Sequence, residues 1–133
     1  MDKLVLSPAF KIGHNDIDAE HAELVEILND MSTGYISKDI GACEKKWQLF
    51  CVKLERHFIN EEEIMARFNY TIDDHDNCHQ ILLNQTKAAG ENCVTLTDWE
   101  SCLLEMRGGI LSQILKHDLY FAEYLITIGY NDI

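Results

Sequence analysis

The stretch Trp47–Phe68, WQLFCVKLERHFINEEEIMARF, decides the fold. Trp47, Phe50, Leu54, His57, Phe58, Glu61, Met65 and Phe68 recur at steps of three and four, which lines them along one side of a helix. The stripe predicts a helix over about 39–68. It also poses a problem, because a histidine and a glutamate interrupt an otherwise apolar face.

Working outward, three further segments have the same period. Residues 17–35 place Ile17, His21, Leu24, Leu28 and Met31 on one face, with Asp16 or Asp18 positioned to cap the start. Residues 73–90 follow a Thr71-x-x-Asp74 pattern, carry Ile72, His75, His79, Leu82 and Leu83, and run out at Gly90. Residues 98–128 open on Thr97-x-x-Glu100, a capping-box pattern, and stop at Gly129. Gly108 and Gly109 each weaken that helix by about 1 kcal/mol relative to alanine, which calls for a packing or site reason. The only proline, Pro8, falls in an N-terminal arm over 1–16, and no linker or repeat divides the chain. Residues 1–133 therefore read as one domain. Four helices with short connections specify an all-α, antiparallel up-down-up-down four-helix bundle.

Composition narrows the function. The chain has 133 residues, with 11 Lys plus Arg against 23 Asp plus Glu and a formal charge of −12. That charge repels phosphate backbones and anionic lipid, so neither nucleic acid nor membrane is an expected partner. No run approaches ~18 apolar residues and no signal peptide is legible. The 5 cysteines are an odd number without a C-x-x-C pair. They read as small buried hydrophobes or free thiols, with a reducing cytoplasm as the expected compartment.

The polar residues on the apolar faces carry the chemistry. His57 and Glu61 are four apart, as are His75 and His79, and residues at that spacing project from a helix in one direction. His21 lies on the inward stripe of the first helix and Asp118 well inside the fourth. Several buried imidazoles and carboxylates without partners would cost a few kcal/mol each, so metal is the economical reading. Imidazole with carboxylate suits Zn, Fe, Cu or Ni. A lone zinc saturates with four ligands, whereas at least six candidates converge, as in a dinuclear centre. The ferritin-like di-iron pattern fails, because the chain has no Glu-x-x-His. On the fourth helix, Gln113 and His117 are also four apart and share a face.

These residues resemble the hemerythrin family in its bacterial single-domain form. FKIGHNDIDAEHAELVEILNDM (10–31) resembles the family's F-x-x-G-x-x-x-I-D-x-x-H-x-x-L opening, and HFINEEEIM (57–65) its H-F-x-x-E-E-x-x-M element. YTIDDHDNCH (70–79) is similar to its Tyr followed by H-x-x-x-H, and QILKHDLYFAEYL (113–125) to its final motif. The resemblance implies a hemerythrin-like bundle holding two iron ions joined by an oxo or hydroxo group. By position, His21 and His57 would bind one iron, His75 and His79 the other, and Glu61 and Asp118 would bridge them. The two-histidine iron would keep the open position for dioxygen, with Ile110 and Leu24 lining the pocket.

The chain also departs from the pattern. The family's third histidine on the second iron maps onto Gln113, whose carbonyl oxygen could bind iron, hydrogen-bond a bound water, or do neither. His117 is expected beside the site, as a neighbouring imidazole more than a substitute ligand. The family's tryptophan four residues earlier is replaced by Gly109, and one near the N-terminus by Leu6. Loss of a ligand and a bulky aromatic on the fourth helix suggests a more open, wetter site around the second iron. His14 reads as a surface-loop histidine. The resemblance implies dioxygen binding for storage, delivery or sensing, with no catalytic residue. The Gln113 departure favours a redox enzyme or detoxifying centre acting on peroxide, nitric oxide or dioxygen. A third possibility is an iron-linked signalling module with a separate redox or signalling protein partner.

Overall fold

A computed structural model describes residues 3–70 and 75–130, the side chains of 75–77 excepted. Helix α1 (Asn15–Ile36), α2 (Ile40–Arg67), α3 (His75–Glu91) and α4 (Leu96–Gln113) follow in order. A π-turn (Ile114–Asp118) then continues α4 into α5 (Leu119–Thr127). Among the described residues there is no strand. α1 packs on α2, α2 on α3, α3 on α4 and α4 back on α1, which closes an antiparallel four-helix bundle.

Each corner has a local cause. Asp39 caps α2 by accepting from Ala42 N at 3.0 Å, directly after a tight α1–α2 turn. α2 ends where Asn69 takes a left-handed conformation (φ 56) and Tyr70 N reaches back to Met65 O at 2.9 Å. α5 ends the same way, with Gly129 at φ 77 and Tyr130 N bonded to Leu125 O. The expected Thr71–Asp74 start of α3 lies outside the described residues, as does Ile72.

Two expected caps are corrected. Neither Asp16 nor Asp18 caps α1: His14 occupies the cap position without a side-chain bond. Asp18 instead accepts from Ile12 N and Gly13 N, fastening the incoming arm. The capping box of α4 is Thr95 with Asp98, two residues before the expected pair. Glu100 serves a tertiary role, accepting a hydrogen bond from the Tyr35 hydroxyl of α1. The N-terminal arm is strapped to α1 by paired bonds between the Leu4 backbone and the Asn29 amide.

The core divides lengthwise. Trp47 and Trp99, 5.9 Å apart, pack one end together with buried Met31, Phe50 and Leu103. The other end is closed by aromatic rings: Phe68 meets Phe121 and Tyr130, and Tyr70 meets Phe121 and Tyr124. His14 belongs to this plug, stacked on Tyr130 at 5.8 Å and half-buried, and is not a loose surface histidine. Leu6 packs against the same core. Between the two ends lies the polar group anticipated from sequence.

Candidate metal centre

Helices α1, α2 and α3 and the π-turn contribute to one buried cluster. His21 comes from α1, His57 and Glu61 from α2, His79 from α3 and Asp118 from the end of the π-turn. Each is at most 2% exposed. One ligand-type atom from each of His21, His57, Glu61 and Asp118 lies within 4.8 Å of the others. His21 Nε2 is 3.1 Å from Asp118 Oδ2, and His57 Nε2 is 3.1 Å from Glu61 Oε2.

Glu61 faces two ways. Its Oε2 looks toward His57 and, at 3.7 Å, His21, whereas its Oε1 lies 3.2 Å from His79 Nε2. His79 is fixed from behind by the Phe58 ring, stacked at 3.9 Å. The side chain of His75 lies outside the described residues.

The short contacts are not aligned hydrogen bonds. His21 Nε2 and His57 Nε2 find no hydrogen-bond partner of good geometry among the described residues, although carboxylate oxygens sit 3.1 Å away. The nitrogens converge on shared space and not along N–H···O lines. Donors that approach one another while leaving their lone pairs unspent suit a cation at their centre.

Electrostatics point the same way. Burial pushes the Asp118 carboxyl up to about 6, with repulsion from Glu61 adding to it and His21 opposing. Burial depresses His57, but the hydrogen bond to Glu20 and the nearby Glu61 carboxylate outweigh it and carry the imidazole up to about 10. His21 is raised as well, Asp118 and Glu61 overcoming burial. Without a cation the cluster balances its two buried carboxylates with protons on imidazole. A bound cation would take the place of those protons, since ligands bind it deprotonated.

The remaining expected residues divide. Ile110 and Leu24 are fully buried in the adjoining apolar core. Gln113 is buried too, and its amide nitrogen has no hydrogen-bond partner among the described residues. His117, by contrast, is half-buried, so the shared face expected for Gln113 and His117 is corrected. The π-turn is the reason: Leu119 N bonds to Ile114 O, five residues back, which inserts a residue into the turn and brings Asp118 inward instead. At Gly109 a Cβ would sit 2.7 Å from Leu82 Cδ1, the movable end of a side chain, and at Gly108 it would meet open space. A groove of about 590 Å³ opens beside these glycines, Leu82 and Met106, while Gln113 itself stays shielded.

Three residues escaped the sequence reading. Glu20 Oε1 lies 2.8 Å from His57 Nδ1, and Glu20 Oε2 accepts from Asn60 Nδ2 at 2.7 Å. Glu62 Oε1 lies 3.4 Å from His79 Nδ1. The available signal was adjacency: Glu20 precedes His21 and Glu62 follows Glu61.

No family model matches the chain. Over 60 residues it is 32% identical to Bacteriohemerythrin of Aquifex aeolicus (strain VF5), a stretch covering 45% of this chain. The match spans about half the length of that relative, 46%. It supports a hemerythrin-like relationship, compatible with the cluster of histidine and carboxylate side chains.

Proposed function

We propose that this protein is a non-haem di-iron protein that binds dioxygen, for storage, delivery or sensing. The observation that carries the reading is Glu61, a fully buried carboxylate whose two oxygens face different histidines, as a ligand shared by two ions requires. The unspent Nε2 atoms of His21 and His57 fit the same role. On this reading His21 and His57 would hold one ion, His75 and His79 would hold the other, and Glu61 and Asp118 would be shared by both. The iron pair, when bound, supplies the electrons and the open coordination position that dioxygen requires.

The chain's own residues do the rest. Leu24 and Ile110 exclude water from the histidine pair on α1 and α2. The aromatic plug of Phe68, Phe121 and Tyr70 closes the nearer end of the bundle to solvent. Gln113 offers a buried N–H donor where a histidine would complete the second ion's set.

Anaerobic reconstitution with ferrous iron, followed by an iron count and optical spectra under air and then argon, tests the reading. We expect two irons per chain, an air-induced spectrum that reverses under argon, and at most one iron in Glu61→Gln, whose amide nitrogen cannot ligate. Less than one iron in the unaltered chain overturns the dinuclear reading.

Gln113 favours a second reading, a redox centre acting on peroxide or nitric oxide, because an imidazole ligand is exchanged for a hydrogen-bond donor. Irreversible oxidation in air with peroxide turnover, slowed in Gln113→His, selects it over carriage.

A further inference from the structure

The three imidazoles described around Glu61 differ in what stands behind them. His57 Nδ1 lies 2.8 Å from Glu20, and Glu20 is itself tied to Asn60 at 2.7 Å. His79 Nδ1 lies 3.4 Å from Glu62, a carboxylate that is 35% exposed. His21 Nδ1 has no hydrogen-bond partner among the described residues. The Glu20 arrangement is the tightest, and it crosses from α1 to α2.

Its parts fit one task. Glu20 stands directly before His21, so the backbone turn that sends His21 inward sends Glu20 along the seam between the two helices. Asn60, three residues after His57, holds the second carboxylate oxygen and prevents the carboxylate from rotating away. With Nδ1–H given to Glu20, the His57 ring is fixed in orientation and tautomer, and Nε2 is left to face the cluster. A carboxylate behind an imidazole also makes it a stronger electron donor, and a stronger donor stabilises the higher oxidation state of the ion it holds. The support behind His79 is longer and wetter, so it does this less.

We propose that Glu20, buttressed by Asn60, is a positioning residue that makes His57 more electron-rich than His21 or His79 and so biases oxidation toward the ion on the His21–His57 side. The inference rests on the metal reading above. It predicts an electronic asymmetry between the two halves that comes from outside the ligand set.

The experiment compares Glu20→Leu, Glu20→Gln and Glu62→Gln with the unaltered chain, all iron-loaded, with circular dichroism to confirm that each is folded. Glu20→Leu is expected to weaken iron affinity about 10–100-fold, the usual effect of removing such a partner. Glu20→Gln keeps a hydrogen-bond acceptor and should recover part of that loss. The midpoint potential of the first oxidation should rise in Glu20→Leu, by about 59 mV for each tenfold loss of preference for the oxidised ion. A second readout needs no iron: a slowly exchanging Nδ1 proton of His57 in the NMR spectrum, lost in Glu20→Leu. Iron-loaded Glu20→Leu with unchanged affinity and potential overturns the proposal, as does a larger change in Glu62→Gln than in either Glu20 variant. An unaltered chain that takes up no iron overturns the metal reading instead, so the two failures are distinct.

Discussion

Glycine-to-alanine substitution at three helical positions gives a graded test of how the helices are held together around the site. At Gly90 a Cβ would lie 2.1 Å from Trp47 Cε2, inside the indole itself. Trp47 cannot yield cheaply, because its Nε1 donates to Thr86 O at 2.8 Å and its ring packs against Trp99. Overpacking costs about 2 kcal/mol. Loss of the indole hydrogen bond adds about 1 kcal/mol. The helix-propensity gain of alanine returns at most about 1 kcal/mol. The net loss of roughly 2 kcal/mol corresponds to a fall of about 7 °C in thermal midpoint for a chain of this length. At Gly109 the obstructing atom is Leu82 Cδ1 at 2.7 Å, the end of a flexible side chain bordering an open groove, so Gly109→Ala should be close to neutral. At Gly108 nothing lies within 4 Å, and Gly108→Ala should raise the midpoint by about 2–4 °C through helix propensity alone. Calorimetry of the three metal-free variants reads the series directly. A Gly90→Ala midpoint equal to or above that of Gly108→Ala would refute the account of how α2, α3 and α4 pack.

Two further outcomes follow from the corners. Backbone N–H groups of Thr95 and Val94 hold the Asp98 carboxyl below its ordinary range, so its stabilisation is present above the unfolded value near 3.8 and disappears as pH falls through the lower folded value. The midpoint gap between the unaltered chain and Asp98→Asn should therefore be full above about pH 4 and close on further acidification; a gap that persists at pH 2 contradicts the capping role. In the π-turn, deleting exposed Leu115 leaves Gln113 and Asp118 four apart, the α-helical spacing that shares a face, whereas inserting an alanine after Leu115 turns Asp118 outward by about 100°. Iron uptake should survive the deletion and fail in the insertion, and equal loss in both would show that the extra residue is not what sets the register.

The bundle and much of its polar centre were legible because they follow one rule. His21, His57 and Glu61 stand on the same three-and-four stripe as Leu24, Leu54 and Phe58, so the pattern that finds the core finds them too. Glu20, Asn60 and Glu62 are off that stripe, and reach the histidines only because their side chains cross a seam between helices. The α4 start was ambiguous for a different reason: Thr95-x-x-Asp98 and Thr97-x-x-Glu100 both satisfy the capping pattern. What separates them is Tyr35, 65 residues from Glu100 in sequence, which claims that carboxylate. No local window contains that information.

The π-turn is the deeper case. On a regular helix, five residues advance about 500°, leaving Gln113 and Asp118 about 140° apart, so a straight reading must choose between them or pair Gln113 with His117. Only the burial of both Gln113 and Asp118 forces the extra residue into the turn. An inserted residue breaks the regular hydrogen-bond ladder, and a helix keeps such a break where something else compensates. Here the compensation is a carboxylate brought 3.1 Å from His21, on the same buried side as an amide with an unspent donor. The irregularity and the buried Gln113 amide thus fall on adjacent turns of one helix. The α4–α5 rod is where this chain brings a carboxylate and an amide donor to the same buried side.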